Sequence, residues 1–241
     1  MSDSLATLTA ATNRIKQRQT NGYFLAFIGI GLIAGVLGPT LPGLAENTLS
    51  RLNQISIIFT AQALGWMIGS YLGGRLYDRV PAHPILGGLF LLAALLFAII
   101  PVVSSLVILA IALLIVGIAG GAIDVGGNTL LIWVHRNDVG SRMNALHFFF
   151  GVGTLVAPIL VVQSINASEG IAWAYWLIAL LLIPPSIFLL RTPSPASPFS
   201  KSDSEAANIR WLLVILITLM FFLLVGAELA FGGWIFTYSL R

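Results

Sequence analysis

Seven stretches of roughly twenty or more mostly apolar residues recur along the chain, each long enough to cross a bilayer core about 30 Å thick. They run from about Tyr23 to Leu41, Ile55 to Tyr77, Ile85 to Val103, Leu106 to Val134, Ala145 to Val162, Ile171 to Leu190 and Trp211 to Leu240. Hydrocarbon offers no partner to a free peptide group, so each stretch is predicted to be a helix. The expected fold is therefore all-α, a polytopic membrane bundle. Composition agrees: 9% of residues are charged and 58% hydrophobic, with a mean hydropathy of +0.96, far from the charged surface of a water-soluble domain.

Several function classes drop out. The net charge is only +3 and the basic residues are scattered singly, so nucleic acid finds no basic face and no nucleic-acid partner is expected. There is no cysteine, which removes disulfides and thiolate metal sites. No nucleophile stands with a base, no ligand cluster has metal spacing, and no phosphate loop occurs, so neither catalytic residues nor an organic cofactor is expected. The lipid bilayer is the first partner. Arg14, Lys16 and Arg18 precede an apolar run that lacks a small-residue cleavage site, and this run reads as a retained helix.

Basic residues also orient the chain, because positively charged loops are retained in the cytoplasm. With the N-terminus inside, Arg14, Lys16, Arg18, Arg75, Arg79, Arg136, Arg142, Arg191, Lys201 and Arg210 are cytoplasmic, and only Arg51 and Arg241 are outside. An integral, multi-pass protein of a plasma or inner membrane with a cytoplasmic N-terminus is expected. Trp173, Tyr175 and Trp176 read as interfacial anchors. The segment 191–210, rich in Pro, Ser and charge, reads as a flexible cytoplasmic linker. It divides the chain into a six-helix unit over 1–190 and a single further helix over 211–241.

Glycine recurs in the first, fourth and seventh stretches, the texture of a repeated three-helix unit. Two acids lie inside apolar runs, Asp124 and Glu228, where an ionised carboxylate costs several kcal/mol unless it faces a cavity or partner. At helical spacing Gly117, Gly121, Asp124 and Asn128 share one stripe, an acid and an amide on a face of small residues. Asn144 and His147, three apart, share a face of the fifth stretch near Gly151, Thr154 and Pro158, and Gln62 with Gly65 and Gly69 makes a similar face in the second. Trp234, beyond Glu228, is a candidate to stack on a sugar ring.

The connection Gly74-Arg75-Leu-Tyr-Asp78-Arg79 resembles the signature loop of the major facilitator superfamily, with Pro81, Ala82 and His83 where that pattern has Gly and two basic residues. Gly74, Arg75, Asp78 and Arg79 would then form a cytoplasmic gating motif, Asp78 beside an Arg latching neighbouring helix ends. The runs Gly120-Gly-Ala-Ile-Asp124-Val-Gly-Gly-Asn128, Ser141 to Gly153 with Ala157-Pro158, and Val225-Gly-Ala-Glu228 with Gly232-Gly-Trp234 are similar to the fucose permease and sodium-dependent glucose transporter branch. That resemblance implies secondary transport of a monosaccharide, a hexose or 6-deoxyhexose, by symport with H+ or Na+. It makes Asp124 the proton- or substrate-linked acid, with Asn128, His147, Glu228 and Trp234 in the cavity. The acid that fucose permease carries in its first helix has no counterpart here, so sodium-linked and facilitated modes stay open.

Such carriers have two six-helix halves joined by a cytoplasmic linker, so this resemblance also implies a truncated chain that transports only with a complementing C-terminal half. Two other readings compete: a facilitator-type exporter of apolar compounds, and a seven-helix receptor. A retinal protein is excluded because no lysine lies between Trp211 and Arg241. The polar stripe of Asn128, Asn144 and His147 favours sugars over apolar cargo.

Overall fold

The computed structural model describes residues 2–198 and 210–239, with side chains at 10–198, 210–227, 230, 231, 234 and 235. Every long element is a helix: α1 Ser2–Gly35, α2 Leu37–Asn47, α3 Leu52–Ile55, α4 Ile57–Tyr77, α5 Ala82–Ile99, α6 Leu106–His135, α7 Gly140–Ser168, α8 Ala172–Leu190 and α9 Trp211–Ser239. Among the described residues five helices are long and apolar enough to span a membrane, and the bent pair α1–α2 makes a sixth; Trp211–Ala227 of α9 is a shorter apolar stretch. Polar groups are scarce outside: Met67, Leu155 and Ile108 are each more than half exposed, a surface made for lipid.

The first expected helix, Tyr23 to Leu41, is both longer and broken. It continues back to Ser2 and forward to Asn47, with a 47° bend at Val36. Pro39 has no N–H to give the Gly35 carbonyl and its ring crowds that oxygen, so the ladder fails there. The hydroxyl of Thr40 donates to Val36 O at 2.8 Å and closes the gap on the other side. The fifth expected helix, Ala145 to Val162, likewise extends to Gly140–Ser168.

Three helix pairs dominate the packing: α4 with α6, α1 with α7, and α5 with α8. The first two are parallel and are built on glycine. A Cβ at Gly65 or Gly69 would press on the carbonyls of Leu114 and Ile118, and one at Gly117 or Gly121 on those of Gln62 and Trp66. Gly31 and Gly153 interlock α1 and α7 in the same way, against Phe150 O and Ile28 O. Lipid supplies no hydrophobic drive between helices, so close backbone approach through small residues is what joins them. The third pair is antiparallel, with Ser186 Oγ donating to Gly87 O at 2.7 Å and Phe97 against Tyr175 further along. Exchanging spans one to three with four to six maps the α1–α7 pair onto α6–α4 and α5–α8 onto itself. The glycine repetition in the sequence is thus matched by a repetition of packing.

Tyr175 is a correction to the expected interfacial belt. It is fully buried and its hydroxyl pairs with Thr40 Oγ1 at 2.9 Å, while Trp173 stays exposed and Trp176 Nε1 donates to Ala98 O at 3.1 Å. Along α8 the side chain of residue 175 points into the bundle and those of 173 and 176 point out, which the aromatic cluster alone did not reveal.

The start of segment 191–210 is tied to the bundle. Arg18 donates to Arg191 O, Gln19 Nε2 to Pro193 O, and the His83 backbone N–H to Ser194 Oγ, each at 2.9 Å. His83 is completely buried and its Nδ1 meets Thr192 O at 2.8 Å, while its Nε2 meets Tyr23 OH at 2.9 Å. A carbonyl only accepts, so Nδ1 carries the proton and Nε2 of the neutral ring accepts from the phenol. His83→Leu leaves a buried phenol and a buried carbonyl unpaired, at about 1–3 kcal/mol each. A melting temperature several degrees lower, with protease cleavage opening after Arg191, is the expected result in detergent.

Candidate functional site

Asp124 sits at the nineteenth of the thirty positions of α6, so roughly 27 Å of helix precede it and roughly 16 Å follow at 1.5 Å per residue. A carboxylate at that depth needs donors. Asn128, one turn on, donates its Nδ2 to Asp124 Oδ1 and to the Asp124 carbonyl, both at 3.0 Å. From α4, Trp66 Nε1 lies 3.4 Å from Oδ2 and donates to it. Each carboxylate oxygen therefore faces an N–H, and both residues of α6 remain partly exposed.

The stripe on α6 divides. Gly117 and Gly121, expected to floor the site, lie instead under α4, against the backbone at Gln62 and Trp66. Only small residues permit that approach, so the glycine half of the stripe is packing and the Asp124–Asn128 half is the site. Below the contact α4 turns toward Ala122: Ser70 Oγ donates to Gly121 O at 3.2 Å and Tyr77 OH to Ala122 O at 2.7 Å.

From α7, His147 is exposed, sits edge-on to Phe27 with ring centroids 5.8 Å apart, and lies within electrostatic reach of Asp124. Phe27 itself packs on Gly127 of α6, which brings the three helices together around the acid. Asn144 is exposed one turn earlier and makes no hydrogen bond among the described residues. Thr154, expected on the same cavity side, bonds back to Phe150 O and packs its backbone on Gly35.

Gln62 lies on the α4 face that also carries Trp66, and its Nε2 is buried with no hydrogen-bond partner. Phe59, three residues earlier, faces Trp234 of α9 with centroids 6.0 Å apart. Phe59, Gln62 and Trp66 occupy one face over about 10 Å of axis. Trp234 and Asp124 thus flank the same α4 stripe at its two ends, with the Gln62 amide between them. The side chain of Glu228 lies outside the described residues.

At the other end of α4, Gly74 faces open space and Arg75 lies over the Tyr71 ring at 4.3 Å. Asp78 caps the helix C-terminus and, like Arg79, is exposed; among the described residues neither enters an ion pair. The recorded ion pair in this region is Asp138 with Arg142, at the start of α7.

Sequence reasoning missed Trp66. The signal is present, since Gln62, Trp66 and Ser70 fall at i, i+4 and i+8 on one face of α4 beside the glycines.

Comparison with known proteins agrees with this architecture. The chain is 33% identical over 234 residues to sodium-dependent glucose transporter 1 of Xenopus laevis, covering 85% of this chain and 48% of that one. It is 27% identical to sodium-dependent glucose transporter 1A of Mus musculus over 90% of this chain and 60% of that one, and 27% identical to the Homo sapiens transporter over 89% and 49%. The chain therefore spans about half the length of these relatives. Residues 22–241 match the family described as Major Facilitator Superfamily, across both glycine-locked helix pairs and the Asp124 site. The chain belongs to the major facilitator superfamily.

Proposed function

We propose that the chain forms the N-terminal, sugar-binding half of a secondary carrier, which takes up a hexose or 6-deoxyhexose by ion-coupled symport and works by alternating access with a complementing C-terminal half. The observation that carries this reading is Asp124, held mid-span by Trp66 and Asn128. Sugar hydroxyls donate well to a carboxylate, and a site of fixed donors and acceptors distinguishes a polyol from apolar cargo. The names of the similar transporters support the same substrate class. Na+ or H+ is the coupling ion, drawn to the acid that α6 holds at this depth. The N-terminus is cytoplasmic, as the distribution of Lys and Arg supports.

The test is uptake of labelled D-glucose in cells expressing the chain together with the part of the Xenopus laevis relative that it does not cover. Uptake several-fold above that of either part alone, and reduced when Na+ is replaced by choline or the proton gradient is collapsed, is expected. Equal uptake with and without both gradients would contradict symport, and none at all would contradict sugar transport.

A further inference from the structure

We propose that Trp66 is the positioning residue of the Asp124 site and through it sets the affinity for sugar, an inference that rests on the carrier reading above. Asn128 lies on the same helix as Asp124 and moves with it. Trp66 reaches the carboxylate from α4, its one hydrogen bond from another helix among the described residues. The root of this side chain lies directly against α6, where a Cβ at Gly117 would come within 3.0 Å of the Trp66 backbone N and one at Gly121 closer still to its O. The indole then lies across Gly120, where a Cβ would come within 2.7 Å of its six-membered ring. Backbone below, ring on Gly120 and N–H on Oδ2 leave one orientation for the carboxylate. The 3.4 Å separation is at the long end for an N–H···O bond.

Gln62 extends the same face by one turn. Its buried Nε2 has two hydrogens and no acceptor within the described protein. A buried amide donor left unpaired is costly, and a ligand oxygen relieves that cost. The α4 face therefore presents a donor at Gln62, an apolar plate at Trp66 and, across it, an acceptor at Asp124. A monosaccharide, with hydroxyls that both give and take hydrogen bonds around an apolar C–H face, fits that order.

The experiment is D-glucose uptake kinetics for the paired chains carrying Trp66→Phe, Gly120→Ala, both together, or Asp124→Asn, with protein amounts equalised by fluorescence size-exclusion chromatography. Trp66→Phe keeps an aromatic ring, though a smaller one, and removes the N–H; Gly120→Ala keeps the N–H and displaces the indole. Each is expected to raise KM about tenfold with the maximal rate little changed, as for loss of a bond to a charged group. The double variant is expected to be no worse than Trp66→Phe alone, because both act on one orientation. Wild-type KM in both single variants, with Asp124→Asn inactive, overturns the role of Trp66 and leaves the site standing. Wild-type uptake by Asp124→Asn, or no uptake by the unmodified pair, overturns the site and this proposal together.

Discussion

Replacing Gly69 with leucine is expected to abolish the folded bundle. Its Cβ would press on the carbonyl carbon, Cα and oxygen of Ile118, and backbone of a packed helix cannot rotate aside as a side chain can. The helices must separate, which also opens the Gly65–Gly117 contact one turn away. Overpacking in a tight core typically costs about 1–3 kcal/mol where side chains relax, so a clash with backbone that also opens the neighbouring glycine contact is expected to cost at least about 3 kcal/mol. The monodisperse peak in detergent size-exclusion chromatography should disappear. Gly88→Ala, where an added methyl meets nothing within 4 Å, should leave it unchanged or slightly raise the melting temperature. A Gly69→Leu protein that melts like the parent would show that α4 and α6 are not joined through these glycines.

Asp124→Asn should separate stability from function. The substitution is isosteric, but it replaces an acceptor that takes N–H groups on both oxygens with an amide that offers an acceptor on one side only. Either Trp66 or Asn128 then meets a donor, and a sugar hydroxyl or coupling cation loses its charged partner. Uptake by the paired chains is expected to fall at least tenfold, about 1.4 kcal/mol or more. Removing a mid-membrane acid also lowers the cost of burial, so the melting temperature should stay equal or rise. An exporter of apolar compounds would keep its activity in this variant. Lower stability with intact transport would assign Asp124 to packing.

Much of the fold was legible because lipid makes helices obligatory and glycine marks where they touch. The length of Leu106–His135 and the limits of Ile57–Tyr77 follow from apolar runs bounded by Arg and Pro. The bend at Val36 was hidden in plain sight at Pro39, whose missing N–H breaks the ladder four residues back. The site was half legible. Spacing placed Asp124 and Asn128 together, since residues of one helix at i and i+4 must meet. It could not say that Gly117 and Gly121 are covered by α4, because that depends on which helix packs beside α6. Trp66 escaped for the same reason, being joined to Asp124 across 58 positions of sequence. His83, standing where the signature loop has a basic residue, was legible only as a departure; its bond to Thr192 O gives that departure a structural use.

The most direct test of the central claim is equilibrium binding of labelled D-glucose to the purified pair of chains in lipid nanodiscs, comparing the parent with Asp124→Asn at matched folding. The account predicts saturable binding by the parent, displaced by unlabelled D-glucose and not by L-glucose, and loss of that binding in the variant. Equal, displaceable binding by both would place the sugar elsewhere in the bundle and contradict the Asp124 site.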